Sequence, residues 1–332
     1  NEAEVKTEVN TEEDVLANNP FKDVSTLPYQ APDFSVIKNE HFKPAILEGM
    51  RQQVEAINLI VENDEAPTFE NTVLALEQSS ELLNRTSRVF YALAGSNTND
   101  EIRALQEELA PKLSQHSDAI YLNDALFARI KTLHENMSDL GLDKESEKLL
   151  DLYYTNFTVS GADLSADDKE ILKKLNAQEA TLTTQFGRKV LDAMKEGGLT
   201  VEDEAALAGL SDNYINSLAV DNGYYIPLIN TTQQADLQDM EDRNTRQKLF
   251  ETSYMRADGG KYDTNAIVVE LAELRAEKAK LLGYDNFASW KLQNTMAKNP
   301  ANVRSFFDSF IDAAVAKADA ESKQIGKMMN DS

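Results

Sequence analysis

The sequence predicts an all-α chain carrying one small β-ribbon near residues 199–229, and three observations predict it. The 332 residues include only 13 Gly and 8 Pro, so the punctuation that divides a chain into short strands is sparse. Ala, Leu, Glu and Lys, the residues that lose least in a helix, are abundant. Apolar residues recur three and four positions apart through most of the length, the period of a helix with one buried face. At 37.0 kDa and with 42% hydrophobic residues, the chain can bury the core of one large domain or two smaller ones.

Residues 1–19 hold six acidic side chains against Lys6 and few large apolar ones, so this stretch is expected to be a disordered acidic tail. Phe21–Pro32 reads as an extended arm, because Pro28 and Pro32 fix the backbone and lack a donor. From Asn39, the spacing of Phe42, Ile46, Met50, Val54, Ile57 and Val61 predicts a first helix. A second follows Pro67-Thr68, with Phe69, Val73, Leu76, Leu83, Phe90 and Leu93 as its stripe, and the turn at Gly95–Thr98 ends it. A third starts near Asn99-Asp100 and carries Ile102, Leu105, Leu109 and Leu113, with Pro111 expected to kink it. Shorter helices are predicted over Asp124–Leu133 and Lys144–Phe157.

Ser165 with Asp168 matches a capping box that opens a long helix to Glu196. Its stripe reads Ile171, Leu175, Leu182, Phe186, Val190 and Met194, and Gly197-Gly198 stops it. Leu199–Val201 and Tyr224–Ile229 are short β-like runs expected to pair antiparallel, with Pro227 demoting the second run to an edge strand. Helical patterning resumes over Gln233–Arg256, Thr264–Leu282 and Asn286–Met296. A last helix begins at Ala301, with Asn299 as its cap and Pro300 in its first turn. No fixed-period repeat points to a solenoid. The organisation read from these changes of texture is a tail at 1–19, a helical region at 20–198, and a β-ribbon followed by helices at 199–332.

The balance of 33 basic against 57 acidic residues gives a formal charge of −24, which argues against nucleic acid and anionic membranes as partners. A solvated acidic surface accounts for it without a specific ligand. With no Cys, disulfides, thiolate metal sites and cysteine nucleophiles are excluded, while the compartment is left open. No apolar run reaches the 18 residues of a membrane span, and no signal-peptide pattern is present. The chain starts at Asn1 rather than Met. A bacterial protein exported to the periplasm or tethered to the envelope and trimmed of its signal would begin so, as would an engineered piece. Export is the reading preferred here over a cytoplasmic location.

Catalytic patterns are scarce. Catalytic zinc on a helix needs two His four residues apart with Glu between them. His134-Glu135 begins that pattern, but the second position is Ser138. His116 is expected at the surface or half-buried on its helix, and His41 is expected to cap or pack at a helix start. No His has Glu three residues before it, which excludes a carboxylate-bridged di-iron bundle. Serine-hydrolase elbows and phosphate-binding glycine loops are absent, and paired carboxylates are too common in this chain to mark a glycosidase. Tyr254, Arg256, Tyr262 and Asp263 gather around Gly259-Gly260, where a peptide could touch them. A polar helix connection, with Arg and Asp pairing locally, is the preferred reading. From the residues alone, no catalytic, cofactor-binding or metal-binding position is assigned.

Several ordered blocks carry a resemblance: NPF at 19–21, IKNEHFKPAILEGM at 37–50, APTFENTVLALEQS at 66–79, LAGLSDNYI at 207–215, RQKLFETSYMRADGG at 246–260 and YDTNAIVVELAELRAEKAKLLGYDNFASW at 262–290, the last running on to Asn299-Pro300. Together they resemble the thimet-oligopeptidase and peptidyl-dipeptidase family of zinc metallopeptidases over roughly Pro20 to Met329, and are most similar to bacterial peptidyl-dipeptidase. The resemblance implies the helical N-terminal region of an ellipsoidal, channel-containing metallopeptidase that removes C-terminal dipeptides from oligopeptides. It implies one wall of the substrate channel here, and zinc held by a C-terminal catalytic domain beyond Ser332. This portion alone is then expected to be inactive, and to self-associate through the face that domain would cover. A stand-alone helical interaction module is the alternative. No zinc ligand, base or transition-state-stabilising residue of the family maps onto this chain.

Overall fold

The apolar spacing from Phe42 onward is realised as α1 (Phe42–Val61), whose inner face buries Phe42, Ala45, Ile46, Ile57 and Ile60. The structure is a computed structural model and describes residues 15–229 and 234–331. Most of the acidic tail therefore lies outside the described residues. Its last part does not behave as a tail: Leu16 is 4% exposed, in one apolar cluster with Phe21, Phe42 and Phe90. Asn19 donates its side-chain amide to the His41 carbonyl at 2.8 Å.

The second predicted helix is divided. A stretch of wide π-helix over Phe69–Leu74 leads into α2 (Ala75–Gln78), and α3 (Glu81–Ser96) follows a break at Ser79-Ser80. The break has a local cause: the Ser79 hydroxyl donates to the Leu76 carbonyl at 2.6 Å and accepts from Gln53 of α1 at 3.2 Å. A serine that bonds its own backbone competes with helix continuation. Helix α3 crosses α1 at Gly49, where a Cβ would stand 2.7 Å from the Leu83 nitrogen and 2.8 Å from its Cα.

Helix α4 (Asp100–Tyr121) is capped by Asn99, passes through Pro111 without interruption and runs two turns beyond Leu113. Then come α5 (Asp124–Glu135) and α6 (Lys144–Ser160), capped by Asn123 and Asp143. Gly161 closes α6 at φ 96°, and a side chain there would meet Leu164, Leu172 and Leu282 at 2.9 Å.

The 31-residue α7 (Ala166–Glu196) starts at the expected Ser165 cap, and the Asp168 carboxylate accepts from the Ser165 hydroxyl at 2.7 Å. Its buried stripe differs from the one read above: Leu172, Leu175 and Leu182 face inward, while Ile171 and Phe186 are exposed. Beyond Leu182 the buried position is Ala193, a small residue that the spacing of large apolar side chains does not mark.

The ribbon forms between β1 (Leu199–Val201) and a later strand, with α8 (Asp212–Leu218) and β2 (Ala219–Val220) between them in sequence. The later strand, β3 (Gly223–Ile226), is antiparallel to both, and the order β1-β3-β2 makes it central. It is thus not the edge strand expected from Pro227. That proline lies just past Ile226, the last paired residue, so its missing N–H removes nothing from the ladder.

The predicted helix over Gln233–Arg256 begins outside the described residues at Gln233 and is otherwise a short 3₁₀ turn at Ala235–Gln238 followed by α9 (Arg243–Tyr254). Helices α10 (Asn265–Leu281) and α11 (Phe287–Leu292) follow. The final helix is two, α12 (Pro300–Asp308) and α13 (Ile311–Asp331), with Asn299 and Pro300 as cap and first residue.

Among the described residues, four apolar clusters result. Two fill the helical region before α7. A third joins α7 to α10 through Leu175, Leu182, Ile267, Leu271 and Leu274. The fourth lies under the ribbon and α9, around Leu207, Ile226 and Leu249. Neither α12 nor α13 buries a residue. Among the described residues no helix is long and apolar enough to cross a membrane.

Candidate functional site

Helix α4 lies along α7, and α7 along α10. Where the three diverge, a cleft of about 740 Å³ opens, with Tyr91 of α3, the end of α6 and Trp290 of α11 completing its lining. From α4 the wall receives Ser114, Ser117, Asp118 and Tyr121, and from α7 Asn176, Glu179, Thr183 and Thr184. These sets are spaced three and four apart, so each is one face of its helix.

The two carboxylates of the wall are held differently. Glu179 accepts from Arg275 Nε at 2.8 Å and from Lys278 Nζ at 2.9 Å. Burial works to raise its carboxyl, but the bonds and charges of Arg275 and Lys278 outweigh it and hold the group below its ordinary value. Asp118 behaves oppositely: burial pushes it up to about 6, against an opposing bond from Asn176 and the charges of Lys278 and Lys173. Trp290 anchors the far wall by donating Nε1–H to the Val159 carbonyl at 3.0 Å. The ammonium groups of Lys278 and Lys291 stand 4.9 and 4.5 Å from its ring centre, within cation–π range. Hydroxyls, an aromatic face and paired charges are the furniture of a binding surface.

The positions singled out in the sequence lie elsewhere. His41 Nδ1 accepts the Lys38 backbone N–H at 3.0 Å, a capping role. His116 is buried rather than at the surface, and its Nε2 donates to Gln53 Oε1 at 2.7 Å. Desolvation lowers its pKa, since a buried imidazolium loses its hydration. His134 stacks on Tyr154 with ring centres 3.9 Å apart and lies 3.5 Å from Asp151. Arg256 binds the carbonyls of Ser253 and Ile229, while Asp263 accepts from the backbone of Gly259 and Asn265. Tyr262 donates to Glu196, and Tyr254 is exposed. These four make up a loop connection rather than one converging site. Sequence reasoning missed Asp118, Asn176 and Glu179. The available signal was polar residues at helical spacing on the faces where α4 and α7 meet, in a chain with too many carboxylates for any one to stand out.

Residues 236–332 match the model of peptidase family M3. The chain is 44% identical over 311 residues to dipeptidyl carboxypeptidase of Escherichia coli strain K12, covering 91% of this chain and 46% of that protein. The chain belongs to peptidase family M3. The M3 relative from Salmonella typhimurium, also a dipeptidyl carboxypeptidase, is 43% identical over 323 residues, covering 95% of this chain and 48% of its own length. Oligopeptidase A of Haemophilus influenzae is 25% identical over 319 residues, at 93% and 46% coverage. The chain thus spans about half the length of these M3 relatives. Among its described residues no group of three His, Asp or Glu side chains is placed to hold a metal ion, so these residues do not fit the zinc ion that the family resemblance implies.

Proposed function

We propose that this chain is the N-terminal, non-catalytic portion of a zinc-dependent peptidyl-dipeptidase, forming one wall of a channel that admits oligopeptides. The observation that carries this reading is the 44% identity to a dipeptidyl carboxypeptidase across 91% of the chain. The cleft between α4, α7 and α10 supports a role in contacting peptide. Its hydroxyls, amide and charged groups suit the polar backbone of a peptide. The zinc ion and the water it activates belong to the remaining half of the parent, and no reaction step is assigned to residues of this chain.

The apolar side chains left uncovered on α12 and α13 support the same reading, because a covering domain would bury them. Export to the bacterial envelope is part of the proposal. Fractionation of cells expressing the whole gene tests it, and activity confined to the cytoplasm would overturn it.

The decisive experiment assays the full-length parent and the 332-residue chain side by side on an oligopeptide with zinc. Dipeptide release is expected from the parent and not from the chain alone. Zinc-dependent release by the chain would overturn the assignment.

A further inference from the structure

The two residues that bond across the seam between α4 and α7 each keep one buried acceptor atom with no donor. Asp118 is 8% exposed, and its Oδ1 accepts from Asn176 Nδ2 at 2.6 Å. Its other oxygen, Oδ2, and the Asn176 carbonyl oxygen are both closed to solvent and have no hydrogen-bond partner. Buried polar atoms in a folded protein are nearly always paired. An ionised carboxylate cannot pair these two, because it only accepts, and an amide that has turned its N–H toward a carboxylate still presents an unsatisfied oxygen. A carboxylic acid is different. It offers one donor and one acceptor side by side, the same pattern as an amide, and the two edges are complementary.

We propose that Asp118 holds a proton in the folded protein, so that Asp118 and Asn176 form a two-bond acid–amide pair tying α4 to α7 in the cleft wall. One bond is the observed Asn176 Nδ2–H to Asp118 Oδ1. The other is Asp118 Oδ2–H to Asn176 Oδ1. The ligand of this site is a single proton, and it removes both unpaired acceptors at once.

The electrostatics of the surroundings agree. Burial alone drives the Asp118 carboxyl toward its neutral form. The cations near it are engaged by other acids: Lys278 and Arg275 of α10 by Glu179 of α7, and Lys173 of α7 by Glu170. Lys291 of α11 lies against Trp290. Tyr121 of α4 and Tyr91 of α3, which also line the cleft, are raised by burial and stay neutral through the range in which Asp118 titrates. Ionisation would therefore set two acceptors against each other and add one negative charge to the wall. The cleft's charge thus becomes a function of mildly acidic pH. This inference stands on the seam itself and not on the peptidase reading.

The test is a ¹³C NMR titration of the Asp118 carboxyl in the whole chain, assigned through its own Cβ. The expected midpoint is about 6, against about 3.9 for an ordinary aspartate. A midpoint at or below 4 would overturn the proposal, because it would mean that a bridging water or an ammonium supplies the missing donor. Asp118→Asn provides an independent check. Its amide has the donor and acceptor of the protonated acid, so at pH 8 the variant should melt above the wild type, with the gap closing toward pH 4. A variant that folds but melts lower than the wild type at pH 8 counts against the pair. If it fails to fold, the wild-type titration decides alone.

Discussion

Asp118 and Glu179 line one cleft and are shifted in opposite directions, which separates burial from pairing as causes. Glu179 is compensated by two cations, so its stabilising effect is present above the ordinary carboxylate range and fades as pH falls through its depressed value. Asp118 has the reverse sign. Its folded value of about 6 exceeds the ordinary 3.8, so the folded chain holds the proton where the unfolded chain has lost it. Stability from this group is greatest below pH 4, declines between about 4 and 6, and is level above that, with a total on the order of 3 kcal/mol. The difference in unfolding free energy between wild type and Asp118→Asn isolates it from the other carboxylates, and a gap that does not change between pH 4 and 7 would contradict it. None of this was legible in the sequence, where 57 acidic residues look alike until packing buries one. Gly49 was equally silent. It reads as a weak helix position, yet the α1–α3 crossing leaves no room for a methyl group beside the Leu83 backbone. Gly49→Ala should therefore destabilise by about 1–3 kcal/mol despite its better helix propensity. A thermal midpoint at or above wild type would refute the close crossing.

At the scale of elements, what was local was legible and what was tertiary was not. Asn99, Ser165 and Asn299 each accept from a backbone N–H three residues on, a bond set by neighbouring residues. The division of the second helix, the continuation of α4 and the inward rotation of α7 to Leu172 depend on partners far along the chain. The APTFEN segment shows why a block that signals family can carry structure rather than chemistry. Thr68 and Asn71 cap one another, with the Thr68 N–H donating to Asn71 Oδ1 at 2.8 Å and the Asn71 N–H to Thr68 Oγ1 at 3.1 Å. Arg129 of α5 then locks the turn. Its guanidinium donates to the carbonyls of Asn63 and Glu65, to Asn71 Oδ1 and to Thr72 Oγ1. Replacing it takes the donor from the part-buried Asn63 carbonyl and Thr72 hydroxyl, so Arg129→Ala should cost about 2–4 kcal/mol. Arg129→Lys should recover little, because an ammonium cannot reproduce the planar fork. Chemical denaturation measures the loss. Hydrogen exchange should locate it at residues 63–72, and unchanged protection there would show that the turn holds without Arg129.

Over the whole molecule, the cores explain the chain up to α11, and the last two helices remain outside that account. Helices α12 and α13 bury no residue, yet Phe306, Phe307 and Phe310 pack on one another with ring centres 5.3–5.9 Å apart, and Ile311, Val315, Ile325, Met328 and Met329 are exposed beyond them. The helical period of this segment was legible in the sequence, but periodicity marks only that a face is apolar, not what covers it. In the proposed parent the cover is the other half of the protein, and without it a second copy is the nearest apolar surface. The chain as a whole carries −24, but the segment from Pro300 to Asp331 holds four basic and five acidic side chains, so repulsion comes from the bodies rather than from the face. Two consequences follow for the isolated chain. It should associate at high micromolar concentration, and association should strengthen with salt, because the Debye length falls to about 10 Å at 0.1 M and to about 3 Å at 1 M. Phe306→Ser with Phe310→Ser removes the two rings that contact each other most closely without touching a buried residue. The double variant should therefore keep the wild-type thermal midpoint and remain monomeric in light scattering at every salt concentration. A wild-type chain that stays strictly monomeric in high salt, or a double variant that associates equally well, would show that this face is not the one left uncovered.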